Sequence, residues 1–318
     1  MPVLYLTEAD VGSLLTMDLA IEAVAAAFRK VGCDEADNVP RRRCQTDRLM
    51  LHVLPAAAKT LGAVGFKAYT TPRDGPARFH VTLFDPKTGE LAALMEADLL
   101  GQFRTGAASG VATKKLARPD AATVGCIGTG KQARTQVLAV CKVRPVTRVA
   151  VYGRDASRSA AFAAQLAAET GVAVEAVDSA EAAVRGLDIV ITATTAREPV
   201  LKGEWLADGC HVNLVGSNFL AKAEADVDVF RRASLVSVDS KEQARLEAGD
   251  LLAPLNQHVL SWADVFDFGP LLVGKYPGRQ TPHDITVFKS LGLGIEDVAV
   301  AARVLDLARQ KGVGREIL

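Results

Sequence analysis

The spacing of apolar and polar positions follows one pattern in the first third of the chain. Residues 7–10, Thr-Glu-Ala-Asp, have the form of a helix N-cap, and the apolar residues of 17–32 recur at helical spacing before a terminal glycine. From 48 to 94, short runs rich in Val, Leu, Phe, Tyr and Thr are separated by prolines and turn residues, which predicts an antiparallel sheet. Residues 96–116 are small and apolar and predict a tightly packed helix.

A second pattern begins near Pro119 and continues to about residue 290. Continuous apolar runs alternate with segments of helical composition. The predicted strands are 123–127, 148–152, 172–177, 188–192, 211–215 and 235–238, and the predicted helices include 157–169 and 180–185. Such strands, joined by helical crossovers, are typical of a parallel sheet covered on both faces. The sequence therefore predicts an α/β fold with a doubly wound parallel sheet, followed by a last helix that begins at Ile295 and ends at Gly312.

Composition and charge narrow the class of partner. The chain has 37 Lys and Arg against 37 Asp and Glu, whereas nucleic-acid binding needs an excess of positive charge. We therefore expect a small-molecule partner and no nucleic acid. No apolar run approaches the ~18 residues of a membrane span, and the N-terminus lacks the basic flank of a signal peptide, which favours a cytoplasmic protein without a membrane. The cysteines form no CxxC pair and the histidines no HxxxH or HExxH pair, so we expect free thiols and no metal site.

The sharpest local motif follows the first strand of the predicted parallel sheet. Residues 123–133 read TVGCIGTGKQA, which places GxGxxA between a strand and a helix. In this fingerprint the first glycine permits a tight turn, the second lets the backbone approach a pyrophosphate, and the alanine allows close strand–helix contact. The helix N-terminus then favours the phosphates. We predict a dinucleotide site whose candidate residues are Gly128, Thr129, Gly130, Lys131, Gln132, Ala133, Arg154, Asp155, Thr194 and Ser217.

The end of the second strand bears on which dinucleotide binds. An acidic residue at the strand tip binds the ribose 2′-OH of NAD, whereas an arginine pairs with the 2′-phosphate of NADP. Here Gly153 stands at the expected tip, Arg154 follows it, and Arg158 comes one turn later. The pattern favours NADP(H), with NAD(H) as the alternative. Asp155 and Arg154 also have a plainer interpretation, as the N-cap of the next helix and a solvated side chain.

Four separated motifs occur in a fixed order. They are RTGAAS at 104–109, the glycine loop, VGSN at 215–218, and FKSLG at 288–292 followed by IED. In this order they resemble the ornithine cyclodeaminase/μ-crystallin family almost from end to end. The resemblance implies a homodimer whose subunit has a substrate-binding and dimerisation domain at 1–118 and 291–318 and a Rossmann domain at 119–290. The family includes cyclodeaminases, archaeal-type alanine dehydrogenases and ketimine reductases, which act on a carbon bearing nitrogen and a carboxylate.

The resemblance also implies a carboxylate-binding set of two arginines and a lysine, which carries over to Arg43, Lys67 and Arg104. An arginine fork binds a planar carboxylate through two hydrogen bonds, and a lysine adds a point charge. Arg104 lies within RTGAAS. Lys67 lies in the apolar run GFKAY, where it is either exposed at a sheet edge or turned into a cleft with a shifted pKa. Arg43 is one of three consecutive arginines, and Arg41 and Arg42 stay open as alternatives.

Two positions depart from the cyclodeaminase pattern. Asn218 stands where the resemblance implies an aspartate that handles the substrate amine, and an amide cannot take up a proton. Glu224 and Asp226 are nearby acids that could compensate. His52 stands where cyclodeaminases tend to have a glutamate. A histidine there either protonates the imine nitrogen of a substrate or is a packing or surface residue without a catalytic role. The candidate catalytic residues are therefore Lys67, His52 and Asn218.

These features together predict an NAD(P)H-dependent oxidoreductase. It would reduce a small 2-imino acid, such as Δ1-pyrroline-2-carboxylate, to an L-amino acid, or catalyse the reverse dehydrogenation. The three cations would hold the carboxylate while the imine carbon takes a hydride, and His52 or Lys67 would supply the proton. Two alternatives stay open: ornithine cyclodeaminase, a lyase that recycles NAD to form proline and ammonia, and a non-catalytic NADPH-binding protein similar to the crystallin.

Overall fold

The computed structural model describes residues 2–59 and 61–317. Its strands are β1 (Leu4–Leu6), β2 (Ala36–Asn38), β3 (Arg42–Gln45), β4 (Leu49–Ala58), β5 (Ala63–Pro72), β6 (Arg78–Phe84), β7 (Leu91–Glu96), β8 (Thr123–Ile127), β9 (Arg148–Tyr152), β10 (Ala173–Ala176), β11 (Ile189–Thr192), β12 (His211–Leu214), β13 (Ala233–Val238), β14 (Val265–Asp267), β15 (Ile285–Lys289) and β16 (Arg315–Glu316). Its α-helices are α1 (Glu8–Leu14), α2 (Met17–Gly32), α3 (Asp98–Leu116), α4 (Lys131–Val143), α5 (Ala156–Thr170), α6 (Val227–Arg232), α7 (Lys241–Glu247), α8 (Leu252–Asn256), α9 (Phe268–Leu272) and α10 (Gly294–Lys311).

The chain forms two compact units, one from Met1–Thr105 with Gly292–Leu318 and the other from Gly106–Leu291. This division falls inside α3, whereas the sequence predicts a boundary at 118/119, just after that helix. At the second boundary the structure divides the chain at 291/292, and the sequence predicts 290/291.

The first unit is built on a mixed sheet with the strand order β16-β1-β7-β6-β5-β4-β2, in which β3 also pairs with β4. The strands β4 to β7 are antiparallel neighbours, as predicted, while β1 runs parallel to β7. Leu54, Lys67 and Val81 lie directly opposite one another on β4, β5 and β6. The pleat of the strands therefore turns these three side chains to one face of the sheet, which we call the inner face.

Helices cover the inner face. The helix α10 packs on β4, β5 and β6 and also contacts α2, whose apolar stripe is buried. Thr7 and Asp10 form the predicted capping box of α1, and Gly312 ends α10 in the left-handed conformation. In the described part of the chain no single helix is long and apolar enough to cross a membrane, and only α1 and α2, bent by 88° at their junction, pass such a test as a pair.

The second unit is built on a parallel sheet with the strand order β10-β9-β8-β11-β12-β15-β13-β14. This confirms the predicted doubly wound α/β architecture. From β8 the chain first adds β9 and β10 on one side and then crosses to add β11 and β12 on the other. The strand order therefore reverses between β8 and β11, where sheets of this kind bind ligands beyond the carboxyl ends of their strands.

Several element boundaries differ from the prediction by a residue or two, and one element is wrong. Residues 180–185, predicted as a helix, form turns in the structure. Ala183 and Val184 are buried in the hydrophobic core, and irregular turn hydrogen bonds hold this short segment in place of a regular helix. The sequence also predicted neither β14 nor β15, nor the short helices α6 to α9.

Candidate active site

The glycine loop of the second unit joins β8 to α4. Gly128 has φ +120°, and a Cβ there would lie 2.4 Å from the carbonyl oxygen of Ala193, so only glycine fits. Gly130 is the N-cap of α4 without a side-chain cap, and no atom lies within 4 Å of where its Cβ would be. The first turn of this 13-residue helix therefore offers backbone N–H groups to an open space.

The remaining residues of the loop also fit a pyrophosphate. Ala133 is fully buried against the core, as the fingerprint requires. Gln132 has a buried Oε1 atom that accepts no hydrogen bond from the described residues. Thr129 is half-buried and Lys131 is exposed at the start of α4. The loop thus has the open cradle and the polar side chains that a dinucleotide phosphate needs.

The acidic residue that follows β9, Asp155, caps the helix α5. Asp155 is the N-cap of α5, and its carboxylate accepts hydrogen bonds from the backbone N–H of Arg158 (3.0 Å) and from Ser157 Oγ (2.8 Å). These hydrogen bonds hold the pKa of Asp155 below its usual value. Arg154 and Arg158 are exposed beside it. The geometry is that of an N-cap flanked by two solvent-facing arginines.

The other two predicted dinucleotide residues lie at the carboxyl ends of the neighbouring strands. Thr194 follows β11, and its backbone N–H and its hydroxyl donate to Glu224 Oε1 at 2.7 and 2.8 Å. Ser217 follows β12, and its hydroxyl donates to the carbonyl of Lys222 at 2.9 Å. Asn218 is the next residue and is half-exposed. The structure therefore brings the loops after β8, β11 and β12 to one edge of the parallel sheet.

The first unit contains a cluster of buried charges on the inner face of its sheet. Lys67 projects from β5 and donates to Asp297 Oδ1 at 3.0 Å. Arg104, on α3, donates from Nε to the same oxygen at 2.9 Å and from Nη1 to Glu296 Oε2 at 2.9 Å. Lys67 is 3% exposed and Arg104 6%, and both acids at the start of α10 are fully buried. Two of the predicted carboxylate-binding residues thus meet in one cluster.

Burial tunes the two cations of the cluster differently. Loss of solvent lowers the pKa of Lys67 from 10.5 to about 8; Asp297 partly offsets this, and the charges of Arg104 and Arg41 add to it. Burial also works against the charge of Arg104, but Asp297 and Glu296 outweigh it and raise its pKa. A Cβ on Gly101 of α3 would lie 2.8 Å from Lys67 Nζ, so a side chain there would displace the ammonium group. Arg104 is therefore a fixed charge and Lys67 is a group that titrates close to neutral pH.

The three consecutive arginines have different positions. Arg41 is buried, and its Nη2 donates to the carbonyl of Gly292 at 3.1 Å. Arg42 is exposed, and Arg43 is half-buried with its Nε donating to His52 Nδ1 at 3.2 Å. Gly292, which accepts the hydrogen bond from Arg41, also borders the guanidinium of Arg104, and the charge of Arg41 lowers the pKa of Lys67. The structure thus brings Arg41 to the buried cluster and pairs Arg43 with His52.

His52 is held in a row of stacked rings. It is 2% exposed, stacks on Tyr69 with ring centroids 4.0 Å apart, and Tyr69 in turn stacks on Phe79 at 5.1 Å. Its Nε2 lies 3.2 Å from Thr71 Oγ1. Burial and the charges of Arg43 and Arg41 lower the pKa of His52 to about 4, so it is neutral at pH 7. We call His52, Tyr69 and Phe79 the aromatic row; Lys67 Nζ lies 5.7 and 5.3 Å from the centroids of its second and third rings.

The acids near Asn218 do not replace the missing aspartate of the cyclodeaminases. Glu224 is fully buried and accepts four hydrogen bonds from its own unit. Asp226 caps α6, where it accepts from Val229 N–H at 3.1 Å and Gly203 N–H at 3.0 Å. Both carboxylates are therefore occupied by hydrogen bonds within their own unit, and neither is placed to take a proton from a substrate amine.

Glu296 and Asp297 are the functional residues that sequence reasoning missed. They were noted only as part of a family motif, without a role. The available signal was a pair of acids in the first turn of a helix whose next residues are apolar; residues 294–301 are all buried, and an unpaired charge there would be costly. Within residues 2–59 and 61–317 no group of histidine, cysteine and acidic side chains could hold a metal ion.

A doubly wound parallel sheet with a glycine-rich strand–helix turn is the architecture of dinucleotide-dependent enzymes. Residues 3–312 match the ornithine cyclodeaminase/mu-crystallin family, and the chain belongs to it. It is an enzyme of that family and not a binding protein without activity.

Three comparisons illustrate the relationship. The alanine dehydrogenase of Archaeoglobus fulgidus is 34% identical over 324 residues, covering 100% of this chain and 98% of its own. The structure of Thermococcus litoralis Δ1-pyrroline-2-carboxylate reductase with NADH and L-proline has a TM-score of 0.94 and 35% identity, over 99% of this chain and 100% of that one. An archaeal alanine dehydrogenase dimer with bound NAD has a TM-score of 0.93 and 34% identity, over 100% and 99% of the two chains.

Proposed function

We propose that the chain is an NAD(P)H-dependent reductase of small 2-imino acids, which also catalyses the reverse oxidation of an L-amino acid. The observation that carries this proposal is the buried charge cluster. Lys67 and Arg104 meet two carboxylates, Glu296 and Asp297, and Arg41 lies nearby, where its Nη2 donates to the carbonyl of Gly292. The cluster is buried and still has cationic N–H donors to offer, and a substrate carboxylate is the kind of partner that such donors bind strongly.

The cluster also has donors left for a substrate. Arg104 uses Nε and one hydrogen of Nη1 for the two acids, and Nη2 makes no hydrogen bond to the described residues. Lys67 makes one, to Asp297. A carboxylate on these donors would have the aromatic row beside it, which suits a hydrocarbon chain or ring. We therefore propose a monocarboxylate with an apolar side chain or ring, such as Δ1-pyrroline-2-carboxylate; the similarity to the Thermococcus litoralis reductase supports this class.

Gly128, Gly130 and the first turn of α4 would hold the dinucleotide, which would supply the hydride for the imine carbon. The protein must then hold the carboxylate, deliver a proton to the imine nitrogen and keep that donor in place. Arg104 binds the carboxylate, Lys67 gives its Nζ proton to the nitrogen, and Asp297 positions Lys67 by their hydrogen bond. Lys67, with a pKa of about 8, is protonated at neutral pH and can still release its proton, whereas neutral His52 has no proton to spare.

The proposed reaction is tested by NADPH and NADH oxidation with a substrate panel. The panel consists of Δ1-pyrroline-2-carboxylate, Δ1-piperideine-2-carboxylate, and pyruvate with ammonia or methylamine. We expect oxidation of the dinucleotide and formation of the L-amino acid with at least one of these imines. No turnover with any of them would contradict the proposal, and release of ammonia from L-ornithine without net redox change would favour the cyclodeaminase alternative.

We propose NADP(H) as the preferred dinucleotide. Asp155 is engaged as the cap of α5, and Arg154 is exposed next to it, so the strand tip offers a cation and no ready carboxylate. A charge-assisted hydrogen bond contributes about 1.5–3 kcal/mol, so Arg154→Ala is expected to lower kcat/KM for NADPH by about 10- to 100-fold and to leave that for NADH nearly unchanged.

Arg148→Ala is the matched control for this prediction. Arg148 is an exposed arginine at the opposite end of β9 from Arg154, and it pairs with Glu175 of β10. This variant should change neither value. A wild-type protein that prefers NADH, together with no effect of Arg154→Ala on NADPH use, would assign NAD(H) instead.

We also propose that the protein is a homodimer that buries the outer face of the first sheet. That face carries half-buried uncharged side chains in adjacent rows, while helices cover the inner face. The rows contain Pro55, Phe66, Thr82 and Leu94 in one, and Ala57, Val64, Phe84 and Leu91 in the next. Antiparallel sheets with an uncovered apolar face commonly bury it against a second copy, and the related archaeal alanine dehydrogenase is a dimer.

Light scattering is expected to give twice the chain mass of 33.6 kDa. Phe66→Glu places a charge in the centre of this apolar face and should shift the protein towards the monomer, whereas Thr82→Ser in the same row should not. A monomeric wild-type protein at micromolar concentration would contradict the proposal.

A further inference from the structure

A second group of buried charges lies in the other unit, and the proposed reaction does not use it directly. Glu224, Asp250 and Lys289 are each at most 1% exposed. They lie at the carboxyl ends of the parallel strands, where Lys289 is the last residue of β15. Burying charged groups is costly, and each member must therefore be paired or hydrogen-bonded within the unit.

Glu224 ties together the loops that follow two neighbouring strands. Its Oε1 accepts from the backbone N–H and the hydroxyl of Thr194, at 2.7 and 2.8 Å. Its Oε2 accepts from the hydroxyl of Thr192 at 2.8 Å and from the backbone N–H of Gly216 at 2.6 Å. Thr192 and Thr194 belong to the end of β11 and Gly216 to the end of β12. One carboxylate thus sets the position of both loops.

Asp250 holds the backbone of Glu224, and Lys289 pairs with Asp250. Asp250 Oδ1 accepts from the backbone N–H groups of Glu224 and Ala225 at 2.6 and 3.1 Å. Lys289 Nζ lies 2.9 Å from Asp250 Oδ2. Burial raises the pKa of Glu224, and the charge of Lys289 together with the hydrogen bonds from Thr194 works against that rise. The group is an anchored support for the two loops.

The position of these loops in the sheet indicates which part of a dinucleotide they would face. The glycine loop after β8 would hold the pyrophosphate, and β9 would hold the adenosine side, because the strand-tip residues that select the 2′-position lie there. The strands β11 and β12 lie on the opposite side of β8. A dinucleotide that crosses the carboxyl ends of the strands therefore places its nicotinamide half over the loops after β11 and β12.

We propose that Glu224 is a positioning residue for the nicotinamide half of the dinucleotide, acting through Thr194 and Gly216. This rests on the proposed dinucleotide-dependent function. Glu224 does not touch the cofactor; it fixes the loops that do. Its effect should therefore fall on the intact dinucleotide, while a fragment that lacks the nicotinamide should be bound as before.

The chemistry of the site explains why a carboxylate is needed. Two of the four donors are backbone N–H groups, one on each oxygen, and neither can reverse its role. In Glu224→Gln one of the two oxygens becomes an NH₂ group, so in either orientation a backbone N–H of Thr194 or Gly216 faces another donor. The affected loop must then move, because a buried donor without an acceptor is costly.

Calorimetric titration of the full-length protein tests the proposal by comparing NADPH, the intact dinucleotide, with 2′-phospho-ADP-ribose, the fragment that lacks the nicotinamide. NADH and ADP-ribose form the corresponding pair without the 2′-phosphate. We expect Glu224→Gln to weaken binding of the intact dinucleotide by about 10-fold or more and to change binding of the fragment by less than about twofold. In turnover, KM for the dinucleotide should rise and KM for the imino acid should stay unchanged. Equal weakening of dinucleotide and fragment, or no change in either, would overturn the proposal.

A second pair of variants keeps the test informative if Glu224→Gln does not fold. Thr192→Val removes one hydrogen bond to Oε2, and Thr192→Ser keeps it. The valine variant should lower the ratio of dinucleotide to fragment affinity by a few fold and the serine variant should restore it; identical ratios in both would overturn the proposal. These are binding measurements, so they give an answer even if wild-type protein reduces none of the imines.

Discussion

Arg104→Ala is expected to abolish most of the turnover while leaving dinucleotide binding intact. The Arg104 guanidinium can bind a carboxylate through two hydrogen bonds, and its removal takes a hydrogen-bond donor from both Glu296 and Asp297. Truncating one partner of a buried, hydrogen-bonded charge pair costs about 2–5 kcal/mol of binding free energy, which corresponds to a loss of about 30- to 5,000-fold in kcat/KM for the imino acid. Steady-state kinetics with a saturating dinucleotide measures it.

Two matched variants show whether the effect belongs to the guanidinium. Arg104→Lys keeps the charge and loses the fork, so it should recover only part of the activity. Arg43→Ala should cost far less than Arg41→Ala, because Arg43 is paired with His52 while Arg41 lies at the buried cluster. An Arg104→Ala protein that folds, binds NADPH and turns over at the wild-type rate would contradict the assignment.

Lys67→Met is expected to remove the proton donor while preserving the length of the side chain. General acid catalysis typically contributes about 10²- to 10⁴-fold, and a loss of that size in kcat is expected. The wild-type pH profile carries the signature of the group. Lys67 is protonated below a pKa of about 8, so imine reduction should be fast below that pH and fall as pH rises through it, whereas amino-acid oxidation should rise through the same range.

Asp297→Asn tests whether the pH profile depends on the pKa of Lys67. Asp297 raises the pKa of Lys67, so its loss should move the fall in imine reduction to lower pH. Lys87→Met, at an exposed turn, is the control and should leave the profile unchanged. If Lys67→Met kept the wild-type kcat, or kept the same fall near pH 8, Lys67 would not be the proton donor.

The dinucleotide loop could be predicted from the sequence because its geometry is local. Gly128, Gly130 and Ala133 act within a few residues of one another, between a strand and a helix that the apolar pattern already indicates. Six strands of the parallel sheet could be predicted for the same reason, since most of their residues are apolar, whereas β14 and β15 were not predicted. The turn segment at 180–185 could not, because its conformation follows from the burial of Ala183 and Val184 in the packed unit.

The charge cluster could be predicted only in part. The family motifs pointed to Lys67 and Arg104, but their partner Asp297 is 230 and 193 residues away in sequence, and local pattern carries no information about such contacts. The register of β3 with β4 decides which arginine enters the cluster, because it places Arg43 opposite His52. Three consecutive arginines in the sequence carry no information about that register. The neutral state of His52 likewise follows from burial and from neighbouring charges.

The central claim is that the cluster of Arg41, Lys67 and Arg104 binds the substrate carboxylate. A crystal structure of the protein with NADPH and pyrrole-2-carboxylate, a flat analogue that cannot be reduced at the nitrogen-bearing carbon, tests it most directly. We predict that the carboxylate lies within hydrogen-bonding distance of Arg104 Nη2 and Lys67 Nζ, with the ring beside Tyr69. A carboxylate bound elsewhere, with Lys67 and Arg104 still hydrogen-bonded only to Glu296 and Asp297, would contradict the claim.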